Sequence, residues 1–400
     1  MGHRVRHQRG TQVRPRTPRR ALRELLRPDL THAHDRLHGL HRSPAPDPPA
    51  DQRRGGPAHD GLGRGAHPDQ RDDRPARGRP PRRPPPGRAP GGGQSRGERV
   101  NFADRLQAAV AQKDSPCVLG LDAHLDLLPE AFAVARDPKA ARSERAAAVA
   151  EFLCQLIDLA ADRVAVVKPQ SAFFELFGAD GAEAWEKVVA HAHDAGLLVI
   201  GDVKRGDIAS TAAAYATALL EGPGEAPDHR LCDAVTVNAF LGHDSIEPFL
   251  EVCRRAGRGI FVLVRTSNPG SEDFQTFGEP SLSHRLALAT HRWGWDLRGE
   301  CGLSAVGAVV GATHPRILGE MRELMPHTPF LLPGFGAQGA RPADVLGAFT
   351  SREGAALVSS SRGVAFAYRQ KANVGRHWRD AASDALDAMV GGVRDALTSR

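Results

Sequence analysis

From residue 101 onward the chain alternates apolar, strand-like runs with amphipathic stretches of helix length. The runs are Cys117–Leu121, Val164–Val167, Leu197–Val203, Ala234–Val237, Ile260–Val264, Ala305–Val310, Phe330–Leu332 and Ala355–Val358. Eight strand-then-helix units in about 300 residues predict an α/β fold of the (β/α)8 TIM-barrel type over residues 100–400. A doubly wound sheet needs fewer strands, and no G-x-G-x-x-G opens an early helix.

Polar or glycine-rich residues follow nearly every run, at the strand ends where such a barrel carries its active site. The third run is the most informative, because it leads into Gly201-Asp202-Val203-Lys204-Arg205-Gly206-Asp207-Ile208. Alternate strand residues share a face, so Asp202 and Lys204 point the same way and Asp207 follows where the chain turns out. The second run ends in Lys168, and a parallel neighbour roughly 4.8 Å away brings that ammonium to the same pocket mouth. Gathering these charges at one point is costly unless chemistry requires it. A surface salt-bridge cluster is the alternative; two charged strand ends in succession favour a pocket.

The last two strand ends suggest a phosphate. Pro333-Gly334-Phe335-Gly336-Ala337-Gln338-Gly339 follows the seventh run and Ser359-Ser360-Ser361-Arg362-Gly363 the eighth. Barrels of this type commonly hold phosphate in these two loops, where glycines admit backbone N–H groups and an Arg forks onto the oxygens.

Composition divides the chain. Residues 1–99 contain 23 Arg, 16 Pro, 10 acidic residues, and no Lys, Phe, Trp or Tyr. They carry a formal +13 of the whole-chain +6, which leaves −7 for residues 100–400. Lacking residues that build a core, this Arg/Pro/Gly-rich segment is expected to be disordered, apart from a short helix around 21–26. An Arg-rich tail is able to bind nucleic acid through phosphates, but it offers no aromatic to stack on a base. A targeting peptide is disfavoured by scarce Ser, by the acids and by the missing apolar core. The favoured expectation is a mis-assigned translation start, with Val100 the residue of a GTG start codon. Cys117, Cys154, Cys232, Cys253 and Cys301 are scattered and free of C-x-x-C spacing, as in a reduced, cytoplasmic protein without structural disulfides or zinc. No apolar run approaches the roughly 18 residues of a membrane span.

With these motifs in order, residues 101–395 resemble orotidine 5′-phosphate decarboxylase, in its longer bacterial subgroup. The resemblance rests on Gly120-Leu121-Asp122, Val167-Lys168-Pro169, the Asp202–Ile208 run, Thr266-Ser267-Asn268-Pro269-Gly270, Pro333 through Gln338, and Ser361-Arg362-Gly363. It implies decarboxylation of orotidine 5′-monophosphate (OMP) to uridine 5′-monophosphate (UMP) and CO2, the last step of de novo pyrimidine nucleotide synthesis, with no metal or organic cofactor. It further implies a charge array of Lys168, Asp202, Lys204 and Asp207, in which Lys204 stabilises and protonates a C6 carbanion. Asp207 and Thr211 would lie at the interface of a homodimer with shared active sites, Asp207 reaching into the partner's pocket. Asp122 and Lys168 would hold the ribose, Ser267 the pyrimidine, and Gln338 and Arg362 the phosphate, with Pro333 opening the loop that closes. Ser361 departs from the family, since many relatives have Gly before the phosphate Arg.

Two rival readings remain. Metal-dependent sugar-phosphate decarboxylases and aldolases share the Asp-x-Lys-x-x-Asp strand but place an acid where this chain has Lys168, and a cation there repels Mg2+. An Arg-rich nucleic-acid binder carrying a decayed barrel is disfavoured by the intact array. His191 and His193 read as solvated helix positions and Trp293 and Trp295 as helix packing; His124 and His314 follow strand ends, where lining the pocket is the less favoured reading.

Overall fold

A computed structural model describes residues 99–399, apart from 223, 225–229, 313–314, 336–340 and 352–353. The expected disorder and short helix before residue 99, together with Gln338 and His314, lie outside the described residues.

Eight parallel strands close into a barrel in chain order: β1 Cys117–Leu121, β2 Val166–Pro169, β3 Leu198–Arg205, β4 Ala234–Val237, β5 Gly259–Arg265, β6 Val306–Val310, β7 Phe330–Leu332 and β8 Ala356–Ser360. The last strand returns to the first, pairing Cys117 with Val358 and Leu119 with Ser360. The eight apolar runs are thus the eight strands. Four extend further into polar sequence than hydrophobicity indicates, β5 as far as Arg265. Lys168 lies within β2, opposite Gly120, Lys204 lies within β3, and β8 continues to Ser360. Ladder hydrogen bonds decide where a strand ends, and the polar residues at the mouth still make them.

Amphipathic helices cover the outside, as their spacing requires. Helix α1 (Phe102–Lys113) precedes the barrel and is capped by Asn101, whose side chain accepts from Ala103 N at 2.8 Å. Its Phe102 packs edge-on against Phe261, and Gly259 leaves the room, since a Cβ there would lie 2.3 Å from the Phe102 ring. Arg105, one turn on, reaches Asp233 just before β4 at 2.5 Å.

Asp233 is the hub of a buried polar cluster. It also accepts from Arg258 at 3.0 Å and from the Val199 amide at 2.9 Å, with His193 Nε2 at 3.0 Å. Burial alone would raise its carboxyl, but the His193 hydrogen bond and the Arg105 charge outweigh burial and hold it well below the usual carboxylate range. His193 is therefore not a solvated helix position. It faces inward because a buried acid forty residues further on accepts it. His191 does lie at the surface, against Asp158, and Trp293 stacks on His243 at 5.8 Å.

All five cysteines are free, four of them buried. Among the described residues no helix is long and apolar enough to cross a membrane.

Candidate active site

The second and third strands deliver the central charges. Asp202 is buried near the end of β3, and Lys168 Nζ from β2 lies 2.6 Å from its Oδ2 while Lys204 Nζ lies 2.5 Å from its Oδ1. Gln170 Nε2 adds a third donor at 3.1 Å and the Thr236 hydroxyl a fourth at 2.9 Å. Burial by itself would raise the Asp202 carboxyl; the two ammonium groups overturn that and hold it at about 2. Burial would likewise lower Lys168, yet Asp202 and Asp122 outweigh it and raise that ammonium above its ordinary value. The two lysines differ in access. The Lys168 side chain is 8% exposed and the Lys204 side chain 46%, so Lys204 presents the more accessible charge of the two.

Lys168, Asp202, Lys204 and Thr236 line one side of a cavity of about 220 Å3 at the C-terminal strand ends. Thr266, Ser267 and Asn268 form another side, Pro333 a third, and Leu263, Val309 and Leu331 supply apolar lining. The loop carrying Ser267 is braced. Thr266 N donates to Gln275 Oε1 at 2.8 Å, Gln275 Nε2 donates back to the Thr266 hydroxyl at 2.8 Å, and a Cβ on Gly311 would lie 3.0 Å from Ser267.

Polar groups at the same strand ends lack partners among the described residues. Asp122 Oδ1, just beyond β1, and Ser361 Oγ, just beyond β8, are buried and have no hydrogen-bond partner. Buried polar atoms are ordinarily paired, so orphans at these strand ends are candidate ligand contacts. Arg362 opens a short helix (Arg362–Ala365), is exposed, and makes no side-chain hydrogen bond or ion pair among the described residues. Gly120 gives Ser361 its space; a Cβ there would lie 2.7 Å from the serine Cβ.

The structure thus brings together Lys168, Asp202, Lys204, Ser267 and Pro333, and sets Asp122, Ser361 and Arg362 on strand ends of the same face. Asp207 and Thr211 stand apart. Asp207 Oδ1 accepts from the Ile208 amide at 2.8 Å and pairs with neither lysine of its own chain, and Thr211 is exposed on the helix Ala209–Ala216. His124 packs against Phe173 with ring centroids 4.6 Å apart and does not line the cavity. Gln170 and Thr236 touch Asp202 without having been singled out from sequence. The available signal was a lone hydroxyl within the apolar β4 run.

A closed parallel barrel whose strand ends gather an acid between two ammonium groups, with an unpaired Arg after β8, defines a TIM-barrel enzyme site. The sequence profile described as the orotidine 5′-phosphate decarboxylase / HUMPS family matches residues 119–376. An orotidine 5′-phosphate decarboxylase of Rhodopirellula baltica is 43% identical over 291 residues, covering 70% of this chain and 95% of that one. One from Haloarcula marismortui is 40% identical over 304 residues, covering 75% and 98%. Among solved structures, the OMP decarboxylase of Leishmania donovani matches with a TM-score of 0.56 at 31% identity, covering 74% of this chain and all of that one. The chain belongs to the orotidine 5′-phosphate decarboxylase / HUMPS family.

Proposed function

We propose that this enzyme decarboxylates OMP to UMP and CO2 and that Lys204 carries the chemistry. The observation that supports this most is the unequal pair of lysines on one buried carboxylate. Lys168 is sequestered and holds Asp202 ionised, while Lys204 shares that acid yet faces the cavity.

In this reading Arg362, Ser361 and Gln338 hold the phosphate, Asp122 and Lys168 the ribose hydroxyls, and Ser267 the pyrimidine. The substrate carboxylate then lies beside Asp202. Repulsion between two such charges at ~4 Å amounts to ~4 kcal/mol at an effective dielectric near 20. Enzymes supply up to ~23 kcal/mol, so repulsion is a minor contributor. Loss of CO2 leaves the bonding pair on C6, where no adjacent group delocalises it. The fixed Lys204 ammonium faces that pair and then transfers a proton to C6, giving UMP. Phosphate binding remote from C6 supplies the energy to close the loop after Pro333 and exclude water.

No metal enters the scheme. Both Asp202 oxygens are already engaged by ammonium groups, and Lys168 stands where a metal-dependent relative needs an acid. The free thiols support a reducing, cytoplasmic setting. A homodimer in which Asp207 and Thr211 complete the partner's pocket agrees with the exposure of Thr211 and with the lack of any ion pair from Asp207 to its own chain's lysines.

The direct test is a decarboxylation assay on OMP with EDTA present. UMP should appear at the same rate with and without chelator. Loss of activity restored by Mg2+ would favour the metal-dependent reading instead.

A further inference from the structure

Three residues of β3 face one residue of β4. The pairing steps from Gly201↔Val235 to Arg205↔Val237, so Asp202, Val203 and Lys204 all lie opposite Thr236. Extra residues on one strand leave ladder amides without their usual carbonyls. The Thr236 hydroxyl takes two of them, accepting from Val203 N at 3.0 Å and from Lys204 N at 2.9 Å. A hydroxyl has two lone pairs and one proton, and with both pairs engaged its proton goes to Asp202 Oδ1 at 2.9 Å. Thr236 is 1% exposed, so water does not compete for these bonds.

Lys204 also has a left-handed backbone, with φ at 44°. For a residue with a side chain this is strained and persists only where the surroundings over-determine it. The bond from its own amide to Thr236 is one such constraint. The same hydroxyl fixes the carboxylate oxygen that Lys204 Nζ meets.

Resting on the decarboxylase reading above, we propose that Thr236 is a positioning residue: its hydroxyl pins the Lys204 backbone in the bulge and orients Asp202 toward the Lys204 ammonium. Thr236→Val keeps the shape of the side chain but removes all three bonds; Thr236→Ser keeps the hydroxyl. Misplacing a reacting group by about 1 Å costs on the order of 10²-fold in rate. That loss is expected in kcat for Thr236→Val, with KM within about threefold, because phosphate and ribose are held elsewhere.

The experiment compares wild type, Thr236→Val and Thr236→Ser on OMP, with kcat and KM expressed per folded molecule and thermal unfolding recorded for each. Thr236→Ser should return kcat to within about fivefold of wild type. A purely structural threonine would lower the melting temperature and leave kcat per folded molecule unchanged. The proposal is overturned if Thr236→Val keeps kcat within about threefold, if the loss appears in KM, or if Thr236→Ser is as impaired as Thr236→Val. Should the valine variant not fold, Thr236→Cys takes its place under the same criteria, since a thiol of similar size is a weak donor and acceptor. A wild type inert toward OMP overturns the decarboxylase reading, and this proposal with it. Failure confined to the ratios between variants overturns this proposal alone.

Discussion

Two buried aspartates stand at opposite ends of the barrel strands, and each is surrounded by cations. Asp233, before β4, is held by Arg105, Arg258, His193 and a backbone amide. Asp202, near the end of β3, is held by Lys168, Lys204, Gln170 and Thr236. Both are pushed below the ordinary carboxylate range against the effect of burial. The difference lies in what is left over. Around Asp233 the two arginines and the histidine are mostly covered, whereas around Asp202 one cation is half exposed on a left-handed backbone, beside a cavity. A cluster whose charges are covered and meet one another stabilises the fold. One that leaves a charge available at the cost of local strain is built to meet something else.

The sharpest separation comes from removing one member of each cluster. Lys204→Ala should lower turnover by about 10⁴-fold or more, since counter-charge and proton donor are lost together. UMP binding by calorimetry should remain, and stability should change by less than about 1 kcal/mol because the side chain is half exposed. Near-normal kcat in this variant would erase the functional half of the comparison.

Asp233→Ala should do the reverse. Leaving buried cations unpaired costs about 3–5 kcal/mol, measurable by urea unfolding, while kcat per folded molecule stays as in wild type. The two acids also predict a pH dependence. Each has its carboxyl depressed on folding, so each contributes stability above its unfolded value near 3.8 and loses it as pH falls through its folded value. For Asp202 that window runs from about 4 to about 2, and the contribution is on the order of 2 kcal/mol. Acid titrations of unfolding should therefore be steep below about pH 4 in wild type and shallower in Asp233→Ala. Equal slopes would mean that Asp233 is not the anchor described here.

A finer test concerns whether the functional cluster closes within one chain, as the Asp233 cluster does. Lys204→Ala and Asp207→Ala, each inactive alone, are mixed under conditions that allow subunit exchange. If the proposed homodimer shares its pockets, about half of the dimers become mixed with one intact pocket each, and activity should recover to about a quarter of wild type. Absence of recovery despite verified exchange would place Asp207 in its own chain's site.

The barrel and the core of the site were legible because both rest on short-range pattern. Eight apolar runs announce eight strands, and the two-residue alternation of β3 puts Asp202 and Lys204 on one face. The strand-end motifs carried the family resemblance for the same reason, since each lies within a few consecutive residues. Thr236 was not legible, because its role depends on how β3 slips against β4, a register that the letters of neither strand contain. His193 was misread for a related reason. Helical spacing placed it on a polar face, and only the tertiary approach of Asp233 turns that face inward. Strand ends were placed short wherever a polar residue such as Lys168 continues the ladder.

The seam between β1 and β8 bears on how the protein is made. Cys117 pairs with Val358, so the first strand to leave the ribosome waits for the last. At roughly 5–20 residues per second, the 240 residues between them take on the order of ten to fifty seconds to synthesise. Throughout that interval β1 has one edge with no partner, and an unpaired strand edge is a template for association with another chain. The proposed phosphate contacts form no sooner, since Ser361 and Arg362 emerge only after β8. A nascent chain of this enzyme is therefore both inactive and in need of shielding until its final strand arrives, and a truncation that removes β8 should yield aggregate rather than a smaller barrel.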